Sequence, residues 1–298
     1  MKPLCISIVF LNYNRVDETR RTTEKLLSLQ NEEDNIEVIA VDNGSTDGTS
    51  EFLAGLQDRI TVVLLRENSG IEGYNRGFEL ARGDIIIVLD DDSHVEAETV
   101  RRVRELFLEN ASIAIVAFRI VDKEGRRFNT WHIPKDDHYQ ESFAFVGCGF
   151  AIRKDIFREI GFYPPDFFLY HNEIYVALRV RSRGHKIVYD PLCVAFHRTG
   201  GEPRDPSRRI YYTLKNSLTL IWMTYPFMTA IYLAVSRIII SFGLALVHGK
   251  IGVAFQALRD FISSKPEKEP LSENARTMMR PFFLQNSIVH RIFQRETA

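Results

Sequence analysis

The sequence predicts an α/β protein: a mostly parallel central sheet flanked by helices, followed by a helical, membrane-associating appendage. Three observations carry that expectation. Apolar runs of strand length alternate with helix-patterned segments through the first two-thirds of the chain. Each of the early runs ends in polar residues. The last third is apolar and basic, unlike what precedes it.

"LCISIVFL" is a continuous apolar run suited to a strand buried on both faces. Val16–Leu29 follows with helical spacing through Val16, Leu26, Leu27 and Leu29. "IEVIAVD" reads as a second strand, "TSEFLAGL" as a short helix, "TVVLLR" as a third strand and "GIEGYNRGFELA" as a glycine-opened helix. "DIIIVLD" is the fourth strand, then come helix Ala97–Asn110 and strand Ile113–Phe118. Strands separated by helices at this spacing imply right-handed crossovers. In such sheets a ligand lies outside the carboxyl ends of the strands. The polar signatures fall there: Asn12-Tyr13-Asn14, Asp42-Asn43-Gly44, Arg66-Glu67-Asn68 and Asp90-Asp91-Asp92.

The net charge of −1 hides an asymmetry. The first 197 residues carry 24 Lys and Arg against 32 Asp and Glu, and from Arg198 onward the balance is 14 against 7. An acidic front half excludes a nucleic-acid partner, whereas the basic rear suits an anionic membrane surface. Cys5, Cys148 and Cys193 are too scattered for a disulfide framework or zinc cluster and read as buried thiols. They fit a cytoplasmic setting. The apolar N-terminus reads as a strand, not a signal peptide. The expected organisation is a catalytic domain over 1–205 and a helical region over 206–298. A dinucleotide-binding domain shares this architecture but needs G-x-G-x-x-G after the first strand, where this chain has "NYNR".

"VDNGSTDGT" (41–49), "NSGIEGYNRGFELARG" (68–83) and "VLDDDSHV" (88–95) together resemble the family 2 glycosyltransferases with the GT-A fold, over about the first 200 residues. The resemblance implies an inverting transfer from a nucleotide-diphosphate sugar, assisted by Mn²⁺ or Mg²⁺. It implies donor contacts from Leu11, Tyr13, Asp42, Asn68, Gly70, Asn75, Asp90 and Asp91. Asp42 could accept from a base N–H or ribose hydroxyl; the alternative is an Asx turn opening "NGSTDGT". Tyr13 could stack on a base or pack in the core.

Asp90-Asp91-Asp92 poses its own question. Carboxylates about 4 Å apart repel by roughly 4 kcal/mol at an effective dielectric near 20. A divalent cation would offset that, and hard cations prefer carboxylate oxygens. In an extended segment Asp90 and Asp92 face one way and Asp91 the other. Asp90 and Asp92 are the expected metal ligands. His197, ending "YDPLCVAFH" where related enzymes carry a metal-binding histidine, is the expected third.

"GCGFAIRKDIFREIGFYPPDFFLYHNEIYVALRV" resembles the family's acceptor region. Glu173 falls where the catalytic aspartate would be, one methylene longer, and is the candidate general base. Asn172 and Tyr175 depart from the family's acidic pattern, which keeps open an impaired scaffold, with a metal-dependent nucleotidyltransferase as another rival. Residues 120–142 read as a long loop or hairpin without an assigned role.

From Leu218 to Val247 the only charge is Arg237. About 20 apolar residues can span a bilayer, but Pro226 and a central Arg, costing roughly 2.5–3.5 kcal/mol at mid-bilayer, leave three readings: helices resting on the membrane, which amphipathic basic segments favour, a true span or re-entrant hairpin, and a helical oligomerisation core. The expected enzyme therefore works peripherally at the inner face of the cell membrane. It would meet a glycan or lipid-linked acceptor there, as do the bacterial rhamnosyltransferases that it resembles.

Overall fold

The parallel register of the first four strands brings their polar ends to one edge. β1 (Ile6–Asn12), β2 (Ile36–Asp42), β3 (Thr61–Leu64) and β4 (Ile85–Asp90) lie in the order β3-β2-β1-β4 in the computed structural model. It describes residues 4–198, 205–269, 271 and 273–294. Asn12 pairs in register with Asp42, and Leu11 with Asp90. Helices α1 (Val16–Glu32), α2 (Thr49–Ala54) and α3 (Tyr74–Leu80) make the crossovers. The glycine-opened helix is two pieces, since Gly70–Gly73 forms a 3-10 turn before α3.

Beyond β4 the sheet changes direction. The chain continues through β5 (Ser93–Val95), α4 (Ala97–Glu109), β6 (Ile113–Val121), β7 (Gln140–Glu141), β8 (Gly149–Arg153), α5 (Lys154–Glu159), α6 (Asn172–Ser182) and β9 (Lys186–His197). The order runs on as β4-β8-β6-β9-β5, with β7 also on β9. β8 lies antiparallel between β4 and β6, and β5 and β7 are antiparallel to β9, so the sheet is mixed beyond its parallel block. β9 continues past "YDP" because its register against β6 shifts between Phe118 and Arg119.

The chain divides into two compact units, Met1–Phe168 with Arg179–Gly201, and Leu169–Leu178 with Glu202–Ala298. In the first, α1 and α4 bury Leu26, Val100, Val103 and Leu106 against Ile8, Phe10 and Ile87 of the sheet. Each such side chain contributes roughly 1.5–3 kcal/mol. The opposite face carries an aromatic cluster of Tyr74, Phe78, Phe157 and Tyr163. Gly77 lets α3 sit on this face: a Cβ there would stand 2.6 Å from Val9 Cγ1 and 2.8 Å from Val41 Cγ2.

The second unit is helical: α7 (Pro206–Thr224), α8 (Phe227–Val247), α9 (Ile251–Ser264), α10 (Glu273–Met278), α11 (Arg280–Asn286) and α12 (Ile288–Gln294). Asp205 caps α7 by accepting from Ser207 N at 2.9 Å, with Pro206 in the first turn. Pro226 separates α7 from α8. Gly249, at φ +65°, turns the chain into α9. Ile210, Leu214 and Leu218 meet Ala245, Ala254 and Ala257 in this unit's core.

Candidate active site

The three carboxylates at the end of β4 do not alternate as an extended segment would. The strand ends at Asp90, and Asp91 and Asp92 form a turn before β5. Both consequently reach one nitrogen: Arg15 Nη1 is 2.8 Å from Asp91 Oδ1 and 2.9 Å from Asp92 Oδ2. Arg15 follows β1, so the parallel β1–β4 pairing delivers it. It offsets part of the repulsion that the sequence suggests a metal must offset. Burial, against the pull of Arg15 and with Asp92 and Asp90 adding to it, pushes the Asp91 carboxyl up to about 8. The Tyr13 backbone N–H also donates to it.

Asp92 faces a second partner. Its Oδ1 lies 3.1 Å from His197 Nε2. Although burial opposes charge on the imidazole, its hydrogen bond to Asp92 and the charges of Asp92 and Asp90 hold it above its ordinary value. The same 3.1 Å suits two neighbouring ligands of an octahedral ion, since bonds of about 2.1 Å give an edge of roughly 3 Å. Asp90, His197 and Cys148 form the other close set, with ligand atoms all within 4.8 Å of one another. Asp90 Oδ1 is fixed by the Tyr74 hydroxyl at 2.9 Å. The expected ligands therefore meet in pairs: Asp92 lies against His197, while Asp90 and His197 share with Cys148 the cluster whose ligand atoms could hold a divalent cation, and Asp92 is not a member of that cluster.

Cys148 is the addition that sequence reasoning missed. As a buried thiol in an apolar run it reads as core. Only the antiparallel placement of β8, with Gly149 opposite Leu89, brings it beside Asp90.

Along the same edge, Asp42 is fully buried. Its Oδ2 accepts from Ser45 N at 3.1 Å and Ser50 Oγ at 2.6 Å, so the Asx-turn reading is real. Its Oδ1 has no hydrogen-bond partner among the described residues, leaving one acceptor for a ligand. Tyr13 is 40% exposed, with a ring face available for stacking. Leu11, half-buried, stands beside Asp90 in register. Asn68 Oδ1 accepts from Gly70 N at 2.8 Å and Asn43 Nδ2 at 2.9 Å, which shapes the turn. Gly70 has φ +65°, and a Cβ there would lie 2.2 Å from Phe168 O. Asn75 pairs both ways with the Tyr163 backbone, at 2.9 and 3.1 Å, so its amide ties α3 to the loop after α5.

Glu173 stands in the second unit, in the first turn of α6. The approach to it is strained: Tyr170 and His171 have φ of +67° and +68°. Asn216 Nδ2 donates to Leu169 O at 2.9 Å and Tyr170 O at 2.8 Å, and Ser217 Oγ lies 2.9 Å from His171 Nε2. These two α7 residues hold the turn that precedes Glu173. In the sequence they stand in "LKNSLTL", inside the stretch 206–298 that is expected only to be helical.

The family model described as "Glycosyl transferase family 2" matches residues 7–178. The succinoglycan biosynthesis protein ExoO of Rhizobium meliloti is 34% identical over 124 residues, 41% of this chain and 35% of that protein. The undecaprenyl-phosphate 4-deoxy-4-formamido-L-arabinose transferase of Pseudomonas fluorescens is 32% identical over 145 residues, 44% of this chain and 40% of that one. The chain therefore spans well under half the length of these two relatives. The fold matches that of the Pyrobaculum calidifontis mannosyltransferase PcManGT, solved with GDP-Man and Mn²⁺, at a TM-score of 0.61 and 16% identity, covering 97% of this chain and 84% of that one.

Proposed function

The chain belongs to glycosyl transferase family 2, and from that footing we propose that it transfers a sugar, with inversion, from a nucleotide-diphosphate donor to a hydroxyl of a glycan or lipid-linked acceptor in polysaccharide or envelope assembly. The observation that carries this reading is the 3.1 Å approach of Asp92 Oδ1 to His197 Nε2, with Asp90 near the same histidine at the carboxyl edge of the sheet. A divalent cation, Mn²⁺ or Mg²⁺, would be held by Asp90, Asp92 and His197 and would neutralise charge on the diphosphate leaving group. Asp42 Oδ1 would accept from the base or ribose, and Tyr13 would stack on the base. Arg15 would loosen from Asp91 and Asp92 as the nucleotide binds. Glu173 would take the proton of the attacking hydroxyl.

The relatives support the acceptor class, since one is named for succinoglycan biosynthesis and another for transfer to undecaprenyl phosphate. Transfer of rhamnose is the finer form of the proposal. It rests on the likeness of the chain's length, acceptor helix and apolar tail to bacterial rhamnosyltransferases.

The second unit supports a place at the inner face of the cell membrane. α8 is long and apolar enough to cross a bilayer by length and composition, and 33% of its most apolar window is buried, so most of its apolar surface is open. Its outward residues include Met228, Val235 and Ile239, and α9 exposes Phe255 and Ile262. With the unit's excess of Lys and Arg, this surface suits resting on anionic lipid.

A donor-hydrolysis panel tests the proposal. One nucleotide sugar should turn over, chelation should abolish the activity, and Glu173→Gln should reduce it by about 10²–10⁴-fold. Absence of turnover of any donor by folded protein supplied with metal and a lipid-linked acceptor would sink it.

A further inference from the structure

Helix α8 buries a charge that no described residue neutralises. Arg237 is 8% exposed and lies on the inward face of α8 with Leu233 and Ser241. Among the described residues it makes no ion pair, and its Nε has no hydrogen-bond partner. One turn further on, Ser241 Oγ is also buried without a partner. The charges that bear on Arg237 are two more arginines, Arg291 of α12 and Arg209 of α7.

A guanidinium cannot escape burial by losing its proton at ordinary pH, and buried charges are normally paired. A buried guanidinium without a counter-charge and an unpartnered hydroxyl one turn on amount to an anion site with Arg237 as its floor, and the exposed Arg209 and Arg291 add positive charge to its surroundings.

We propose that Arg237, with Ser241, Arg209 and Arg291, binds the phosphate of a lipid head group. Planar guanidinium groups match phosphate oxygens. The lipid source follows from the outer face of the same helix, where Ile231, Val235 and Ile239 are 41%, 51% and 51% exposed and would meet acyl chains. Basic pockets between helices at a membrane surface take phosphorylated head groups in this way. The choice of a lipid rests on the membrane-resting reading above; the need for an anion does not.

The test compares the melting temperature of the purified full chain with phosphatidylcholine vesicles, with vesicles also containing phosphatidic acid, and with inorganic phosphate. Phosphatidic acid should raise the wild-type value by at least about 2 °C, and Arg237→Met should abolish the rise. Without lipid the variant should be no less stable than wild type, since an unpaired buried charge has gone. If Arg237→Met does not fold, Arg209→Ala and Ser241→Ala replace it, each expected to reduce the rise. Nucleotide binding measured on the same samples separates failure here from failure of the donor site. Equal phosphatidic-acid responses in wild type and variants would overturn the proposal. An equal rise from inorganic phosphate alone would overturn the lipid assignment.

Discussion

Asp92 Oδ1 and His197 Nε2 stand 3.1 Å apart because Ser93 and His197 are register partners between β5 and β9. Two strand ends distant in sequence are thereby clamped into one potential ligand pair. If both side chains serve one ion, their contributions to metal-dependent nucleotide binding are not independent. Asp92→Asn and His197→Ala should each weaken that binding by about 10–100-fold, as losses of ligands or their supports do. The double variant should be little worse than either single one. Additive losses in a calorimetric double-mutant cycle would argue for two separate roles.

Cys148 would add a soft ligand beside the carboxylate of Asp90. Thiolate favours thiophilic ions far more than Mn²⁺ or Mg²⁺. Cys148→Ser should therefore weaken Cd²⁺ binding by about tenfold or more while leaving Mn²⁺ binding within about twofold. Unchanged Cd²⁺ affinity would remove Cys148 from the ligand set.

Asn216 holds the left-handed turn before Glu173 through two backbone carbonyls. Its replacement by Ala should let the turn relax and misplace the carboxylate. Turnover should fall by about 10–100-fold with nucleotide affinity unchanged. A loss confined to nucleotide affinity would contradict a role in aiming Glu173.

His132 supplies a pH signature in the first unit. Burial pushes its imidazole down to about 4, and its ring stacks on Trp131 with centroids 4.3 Å apart. The unfolded chain binds this proton near pH 6.5 and the folded chain does not. Stability is therefore lost as the pH falls from about 6.5 to 4, by roughly 3 kcal/mol in total. Below that the slope from this group vanishes. His132→Gln should flatten this part of a pH series of urea melts, and an identical acid limb would contradict the assignment.

The parallel half was legible because its elements are local. Apolar runs such as "IEVIAVD" and "DIIIVLD" give both strand type and burial, and their terminal Asp42 and Asp90 mark the ligand edge. Neighbour choice beyond β4 was not legible. Nothing in the periodicity of residues 149–153 says that they insert antiparallel between β4 and β6, so Cys148 stayed hidden in the core. The alternation of Asp90, Asp91 and Asp92 failed for a related reason: the strand stops one residue into the triplet, and a turn aims two carboxylates at Arg15.

The most direct measurement is calorimetric titration of UDP, dTDP and GDP into the purified chain, with and without Mn²⁺, repeated on Asp92→Asn. Metal-dependent binding of one nucleotide, lost in the variant, is the expected result. Binding that ignores both metal and Asp92, or no binding by well-folded protein in any condition, would contradict it.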